Sequence, residues 1–364
     1  MLSCGRVNTH RLHFHHVRST MESEPSFHLF TSIRYDPLLL ESAENSLPIL
    51  NYVAPSPFYM LIYHRDRMLE AAQHFDFHAV AQRLEHGESL HQELLQEVAE
   101  YLHRGGHDGP LKMRILFDKA ANMTIDFAPT PAVPLSTLYP ASFGPPRPKP
   151  TRHPANPLSL PFRPSPLTGG ALTLDPTDTL PPNPPSDPPA PPEYHLRLDT
   201  QPTPTSAFTR LKTTVREQYD AARARALPAN PAGAPYAEVI LYNSTLELTE
   251  GTLTTIYVFR GGRWVTPPVG VPAGEFTAQM LRDAEGESVD LDEGELRRPF
   301  AGRWGHSVRS AKVGAGGQRG TSRRWALKKG FCMEEPISVG TVEVGEGLWI
   351  SSGVRGFAFG RVVA

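Results

Sequence analysis

The sequence predicts an α/β protein built from two folded parts, and three observations predict it. Segments with apolar residues at helical spacing alternate with β-branched or alternating apolar runs, first over residues 26–128 and again over 194–364. Between them, residues 129–193 carry runs such as FGPPRPKPTRHP and PPNPPSDPPAPP. Such runs cannot supply helix interiors or ladder donors, so this stretch reads as a long, semi-extended linker. Finally, 364 residues are enough for two domains of ordinary size.

Composition narrows the function classes. The chain has 36 basic and 38 acidic side chains, a formal net charge of -2. That balance gives no reason to expect nucleic acid or an anionic membrane as partner. Cys4 and Cys332 are the only cysteines, so no disulfide framework is expected and a reducing compartment is the default. No apolar run approaches the ~20 residues of a membrane-spanning helix. A cytoplasmic protein is expected. Residues 1–25 read as a disordered extension, with mitochondrial targeting as the alternative, because Arg6, Arg11 and Arg18 precede the first acid, Glu22. His10, His13, His15 and His16 have no acid among them, so no metal site is expected.

Taken in order, SFHLFTSIRYD is a strand and HRDRMLEAAQHFDFHAVAQRLEHG has helical spacing. SLHQELLQEVAEYLHRGG is a further helix, ended by paired glycines. LKMRILFDKAANMTIDFAP reads as a hairpin turning at Ala120-Ala121-Asn122. After the linker, FTRLKTTVREQYDAARARAL reads as one helix with a basic, Ala-rich face. APYAEVILYNSTLELTEGTLTTIYVFRGGRWVTPP reads as a sheet with a Gly261-Gly262 turn. Residues 269–317 mix acidic, Gly and Arg residues without a period and read as an irregular insertion. GTSRRWALKKGFCM then opens a helix, and VEVGEGLWISSGVRGFAFGRVV reads as strand, turn and strand.

Four separate segments carry complementary chemistry. In HRDRM, His64 is followed by Arg67, a planar fork of donors suited to phosphate. Lys212 stands beside Leu211 in an arginine-rich segment, and a lysine amine becomes nucleophilic when desolvated near other cations. Glu250 lies between β-branched runs, where a carboxylate is costly to bury without a partner. A pyridinium nitrogen would be such a partner. Gly320-Thr321-Ser322 precedes a helix, and Ser351-Ser352-Gly353 follows a strand, so both offer N–H groups and hydroxyls to an anion. Each segment alone suits an ordinary surface or turn equally well. Together they make a kit for pyridoxal 5'-phosphate.

The order Arg67, Lys212, Glu250, Gly320-Thr321-Ser322-Arg323 resembles the class IV pyridoxal phosphate enzymes, of branched-chain and D-amino acid aminotransferase type. LFTSIRYD, SPFYMLIYHRDRMLEAA, FTRLKTTVREQYDAAR, LTEGTLTTIYV and WISSGVRGF look more closely like the fungal aminodeoxychorismate lyase branch. The resemblance implies a smaller N-terminal α/β domain and a larger C-terminal one, the cofactor in the crevice between them, and a homodimer. It implies that Lys212 is the lysine that condenses with the cofactor aldehyde and Glu250 the acid at the ring nitrogen. Arg67, Thr321, Ser322, Ser352 and Gly353 would hold the phosphate, and Arg216 matches an arginine that often follows the lysine. Three departures stand out: Glu217 where a tyrosine is common, with Tyr219 two positions on; Gly353 where a hydroxyl residue is common; and the insertion next to the phosphate turn.

The activity this implies is elimination of pyruvate from aminodeoxychorismate, giving 4-aminobenzoate for folate biosynthesis. Lys212 would remove the proton at the amine-bearing carbon. Thr31 or Ser32 would protonate the leaving group, and Arg34, Arg114 and Arg355 are candidates for the substrate carboxylates. An aminotransferase would use the same lysine and glutamate. A scaffold whose proline-rich segment binds partners would need neither.

Overall fold

The structure, a computed structural model, describes residues 26–144, 146, 192–227, 236–269 and 316–364. The expected N-terminal extension, most of the proline-rich stretch and nearly all of the expected insertion lie outside the described residues.

The first sheet has three antiparallel strands in the order β1-β2-β3: β1 Leu29–Tyr35, β2 Leu111–Phe117 and β3 Met123–Pro129. Its two faces have opposite character because side chains alternate along a strand. Leu111, Met113, Ile115 and Phe117 of β2 and Leu29 and Ile33 of β1 are fully buried. They pack against three helices, α1 Leu61–His74, α2 His78–Leu84 and α3 Gly87–His103, in one apolar cluster. The opposite face carries Phe30, Ser32, Lys112 and Arg114, and it forms one wall of a cavity. The β2–β3 turn holds Ala121 at φ 64, uncommon for a residue with a Cβ, and α3 runs out into Gly105 at φ 82, as a C-terminal glycine predicts.

The second sheet has eight strands in the order β6-β5-β4-β11-β10-β7-β8-β9. They are β4 Tyr194–Leu198, β5 Ala237–Tyr242, β6 Leu248–Gly251, β7 Thr255–Arg260, β8 Arg263–Thr266, β9 Met333–Glu334, β10 Gly347–Ser352 and β11 Gly356–Val362. β11 runs parallel to β4, and β4 parallel to β5; β10 is antiparallel to both β11 and β7. Gly261 and Gly262, at φ 56 and 80, close the β7–β8 hairpin, the paired positive φ that a tight hairpin turn requires. The fold is a mixed α/β arrangement of two sheets.

Two sequence expectations are corrected. Phe208 to Leu227 is not one helix. A short α5, Ala207–Arg210, ends at Leu211, and α6 starts only at Glu217 and runs to Ala226. The break has a tertiary cause. Leu211 packs into the core of the first sheet, Thr213 bridges to Leu29, and Lys212 O accepts from Phe30 N at 3.3 Å. These contacts hold residues 211–216 out of helical geometry and carry Lys212 across to β1. The second correction concerns residues 133–144, part of the stretch assigned to the linker. They are packed on the second sheet: α4, Leu135–Leu138, lies on β11, and the Phe143 ring stacks on Trp349 at 5.2 Å.

Between the two sheets, α1 meets the helix α7, Thr321–Lys328. Arg324 Nη1 lies 2.7 Å from Asp66 Oδ2, and Arg319 Nη1 lies 2.9 Å from Glu70 Oε2. The ends of both helices therefore frame the cavity left between the sheets.

Candidate active site

The cavity has a volume of about 430 Å³, within the range of small-molecule sites. Elements far apart in sequence line it: β1 and β2, the extended segment at Lys212, α6, β6 with the turn after it, the start of α7, and the turn after β10.

Glu250 lies on β6 and meets two donors, one on each carboxylate oxygen. The Tyr219 hydroxyl donates to Oε1 at 2.7 Å and the Gln318 backbone N–H to Oε2 at 3.1 Å. Gln318 Nε2 in turn donates to the Tyr219 oxygen at 3.0 Å. Burial pushes the Glu250 carboxyl above its ordinary range; these two donors and the charges of Lys212 and Arg216 oppose the shift. The same carboxylate, together with burial, raises the Tyr219 phenol well above its ordinary value.

Lys212 reaches into the cavity above the Phe30 ring, its Nζ 5.1 Å from the centroid. Burial holds its amine well below the ordinary lysine value, and the nearby Arg67 and Arg216 push in the same direction. A neutral amine is the form that attacks a carbonyl or takes a proton.

At the other end, Arg67 Nη2 donates to Thr31 Oγ1 at 2.5 Å. Burial lowers its guanidinium to about 10, and Glu250 partly offsets this. The helix α7 begins at Thr321 after Gly320, with no side chain capping its first turn among the described residues. Thr321 Oγ1 is buried without a hydrogen-bond partner among those residues, as is Arg67 Nε. Ser322 Oγ donates to Ser351 Oγ at 2.8 Å, which is itself 2.8 Å from the Tyr257 hydroxyl. Free N–H groups at a helix start, an unpaired hydroxyl and a buried arginine form a site for an anion.

The remaining sequence candidates separate cleanly. Ser32 lines the cavity. Thr31 does not, because it is on the other face of β1, fully buried between Arg67 and His64. Ser352 and Gly353 line the cavity, and Ser352 Oγ accepts from Arg355 N at 3.1 Å. Arg114 lines it, with an exposed contact to Asp126 at 3.3 Å, and so does Arg355, which donates to the Tyr194 hydroxyl at 3.2 Å. Arg34 does not belong to the cavity. It is fully buried, 2.7 Å from Asp36, and it donates to the Pro131 and Val354 carbonyls. It ties β1 to the chain on either side.

Sequence reasoning missed Lys112 and Gln318. Lys112 stands two positions before Arg114 on β2, and that spacing puts both on one face of a strand; the signal was present. Gln318 offered none. Arg216 lies over the Tyr219 ring at 4.6 Å and donates to Thr252 O at 2.9 Å. Behind that turn, the buried Glu238 accepts from Thr254 Oγ1 at 2.9 Å and from Leu253 N at 3.1 Å, which fixes the cavity edge. Among the described residues, no group of His, Cys, Asp and Glu is placed to hold a metal, and no helix is long and apolar enough to cross a membrane.

Residues 173–298 match the family model for class IV amino-transferases, a span that includes Lys212, Arg216, Tyr219 and Glu250. Enzymes of that class use pyridoxal phosphate. Solved structures resemble the chain at low identity. A fold IV transaminase from Curtobacterium pusillum is 12% identical, with a TM-score of 0.45 over 92% of this chain and 79% of its own. The 4-amino-4-deoxychorismate lyase from Pseudomonas aeruginosa is 13% identical, at 0.45 over 92% and 83%. A branched-chain aminotransferase from the archaeon Thermoproteus uzoniensis is 12% identical, at 0.43 over 93% and 80%. No curated protein matches the chain in sequence.

Proposed function

We propose that this chain is a pyridoxal phosphate-dependent lyase that eliminates pyruvate from 4-amino-4-deoxychorismate and releases 4-aminobenzoate, a folate precursor. The donor set of the cavity fits the cofactor. The start of α7, Thr321, Ser322 and Arg67 would hold its phosphate, Lys212 its aldehyde carbon and Glu250 its ring nitrogen. When bound, the cofactor supplies a ring that accepts the electrons left on the carbon bearing the substrate amine.

The observation that favours a lyase over an aminotransferase of aliphatic amino acids is the charge on the wall. Lys112, Arg114, Arg216 and Arg355 all line the cavity. Burial lowers the amine of Lys112 and the three arginines push the same way; a wall of like charges suits an anion. Aminodeoxychorismate carries two carboxylates. An aliphatic side chain would need an apolar pocket where these cations stand.

In this reading Lys212 Nζ, its neutral form favoured by burial, takes the proton from the amine-bearing carbon. The carbon–oxygen bond of the enolpyruvyl ether then breaks, the oxygen leaves with the bonding pair, and protonation of the departing enol gives pyruvate. Ser32, on the cavity face of β1, is the hydroxyl placed to serve that group. Burial raises the Glu250 carboxyl, and the Tyr219 and Gln318 donors favour its charged form against that, the form that would balance a positive ring nitrogen. A cytoplasmic homodimer is part of the proposal; sizing tests the dimer.

The deciding assay supplies aminodeoxychorismate without any amino or keto acid and measures both products. Equal release of 4-aminobenzoate and pyruvate is expected. Turnover only when a keto acid is added would replace the lyase with an aminotransferase.

A further inference from the structure

We propose that Tyr194 is a specificity-determining residue of the cavity and forms with Arg355 one clamp for a substrate carboxylate, fixing the guanidinium and donating its own hydroxyl hydrogen to the same group. The inference rests on the reading of the substrate as a dicarboxylate.

Tyr194 opens β4, and its two ends meet different surroundings. The residue is 7% exposed, and its ring lies in the apolar cluster of the second sheet, edge-on to Tyr236 at 5.3 Å. It also lines the cavity. An aromatic body in a core with a polar tip at a wet boundary is the placement that suits tyrosine. β4 is an interior strand, paired with β5 on one side and β11 on the other, so the ring and its hydroxyl are carried on a rigid support.

Arg355 is exposed, and among the described residues it meets no carboxylate. Its one side-chain hydrogen bond there runs from Nη1 to the Tyr194 oxygen at 3.2 Å. The backbone beneath is fixed more firmly. Arg355 N donates to Ser352 Oγ at 3.1 Å, and the next residue, Gly356, stands at φ 71, where a Cβ would fall 2.4 Å from the Thr137 carbonyl oxygen in α4. The turn is therefore seated directly on α4. A long side chain that would otherwise sample many rotamers is tied at its tip by the tyrosine.

Donor arithmetic gives the rest. A guanidinium can only donate, so the Tyr194 oxygen accepts. The hydroxyl keeps one hydrogen, and no acceptor for it stands among the described residues. Two donor atoms 3.2 Å apart, on residues that both line the cavity, are spaced to meet one carboxylate, whose two oxygens take a hydrogen each. A neutral group of the same shape gains less, because the charge of the acceptor strengthens both bonds. The phenol also suits this wall better than a further cation. Lys112, Arg114 and Arg216 line the same cavity, and a neutral donor adds a contact without adding repulsion.

The test measures binding of chorismate, the analogue with a hydroxyl in place of the amine, to the chain loaded with pyridoxal phosphate. Its dimethyl ester is the neutral control, and calorimetry reads both. Without the amine the analogue is held and not turned over. Wild type is expected to prefer the dicarboxylate by roughly tenfold or more. Tyr194→Phe, which keeps the ring in the core, is expected to lose roughly tenfold in chorismate affinity with ester binding unchanged. Arg355→Ala should lose at least as much. Tyr194→Phe added to Arg355→Ala should then cost clearly less than it does alone, because the two side chains act as one clamp. No preference of wild type for the acid over the ester would remove the dicarboxylate reading and this inference together. A preference left intact in Tyr194→Phe, or an equal loss for acid and ester, would overturn the role of Tyr194 alone. So would an undiminished loss in the Arg355→Ala background, which would make the hydroxyl independent of the arginine.

Discussion

The Tyr219 hydroxyl donates to Glu250 Oε1 at 2.7 Å and accepts from Gln318 Nε2 at 3.0 Å, so the buried carboxylate is held by a phenol that is itself held. Tyr219 stands two positions past Glu217, the residue that opens the first turn of α6. Tyr219→Phe keeps the ring and removes one of the two donors on Glu250. The variant should lose about 1–3 kcal/mol of support for the charged carboxylate, or roughly tenfold to hundredfold in kcat. Cofactor absorbance against pH checks the cause. Without the phenol, Glu250 protonates at higher pH, so the spectrum of the bound cofactor should begin to change at a higher pH than in wild type. A change in rate with an unshifted titration would assign Tyr219 a packing role only.

Lys212 carries a prediction about stability as well as activity. Its amine is held below the ordinary lysine value of 10.5 in the fold. The unfolded chain therefore binds more protons than the folded one between the folded value and 10.5, and stability rises with pH across that window. Lys212→Met removes the penalty. The cofactor-free variant should unfold at higher temperature than wild type at neutral pH, and the gap should close as pH approaches 10.5. The same variant should form no borohydride-trapped link to pyridoxal phosphate. Thermal melts over a pH series and mass spectrometry after reduction read the two effects separately.

How much of this was legible beforehand differs by residue. Lys212, Glu250, Arg67 and Thr321 were legible as a set, from their order and complementary chemistry, because no one of them stands out by type among 36 basic and 38 acidic side chains. Their geometry was not. The break at Leu211 that swings Lys212 onto β1 comes from Leu211 entering the other sheet's core, a contact without local signal. The alternation of β1 should have separated Thr31 from Ser32, since adjacent strand residues face opposite ways. The partner of Arg34 was two positions away at Asp36, but the carbonyls of Pro131 and Val354 that complete its burial are distant in sequence. Gln318 lies 68 residues from the carboxylate it serves and just beyond the segment that reads as irregular.

The reassignment of Arg34 has its own test. It is enclosed with Asp36, away from the cavity, so truncating it leaves a buried carboxylate unpaired. Arg34→Met should cost about 3–5 kcal/mol of stability. At a temperature where the variant is folded, KM should stay within about twofold of wild type, because Arg34 itself does not line the cavity and reaches it only through the Val354 carbonyl. Denaturant melts with steady-state kinetics decide between a structural arginine and a carboxylate ligand.

The cavity cations should respond in the opposite way. Lys112 and Arg114 stand on one face of β2, and Arg216 and Arg355 approach from α6 and the turn after β10. None of them is needed to fold a core, and Lys112 is held below its ordinary value chiefly by burial and then by the other three. If aminodeoxychorismate is the substrate, as proposed, Arg355→Ala or Arg114→Ala should therefore raise its KM by roughly tenfold or more, with a smaller effect on kcat and little loss of stability. Each removal also relieves repulsion on Lys112, whose amine should move up toward its ordinary value. A double variant lacking both arginines should then lose less in log KM than the two single variants summed, since the remaining Lys112 and Arg216 become better charged partners for the anion. Strict additivity would mean that the four side chains bind separate groups and do not share one field.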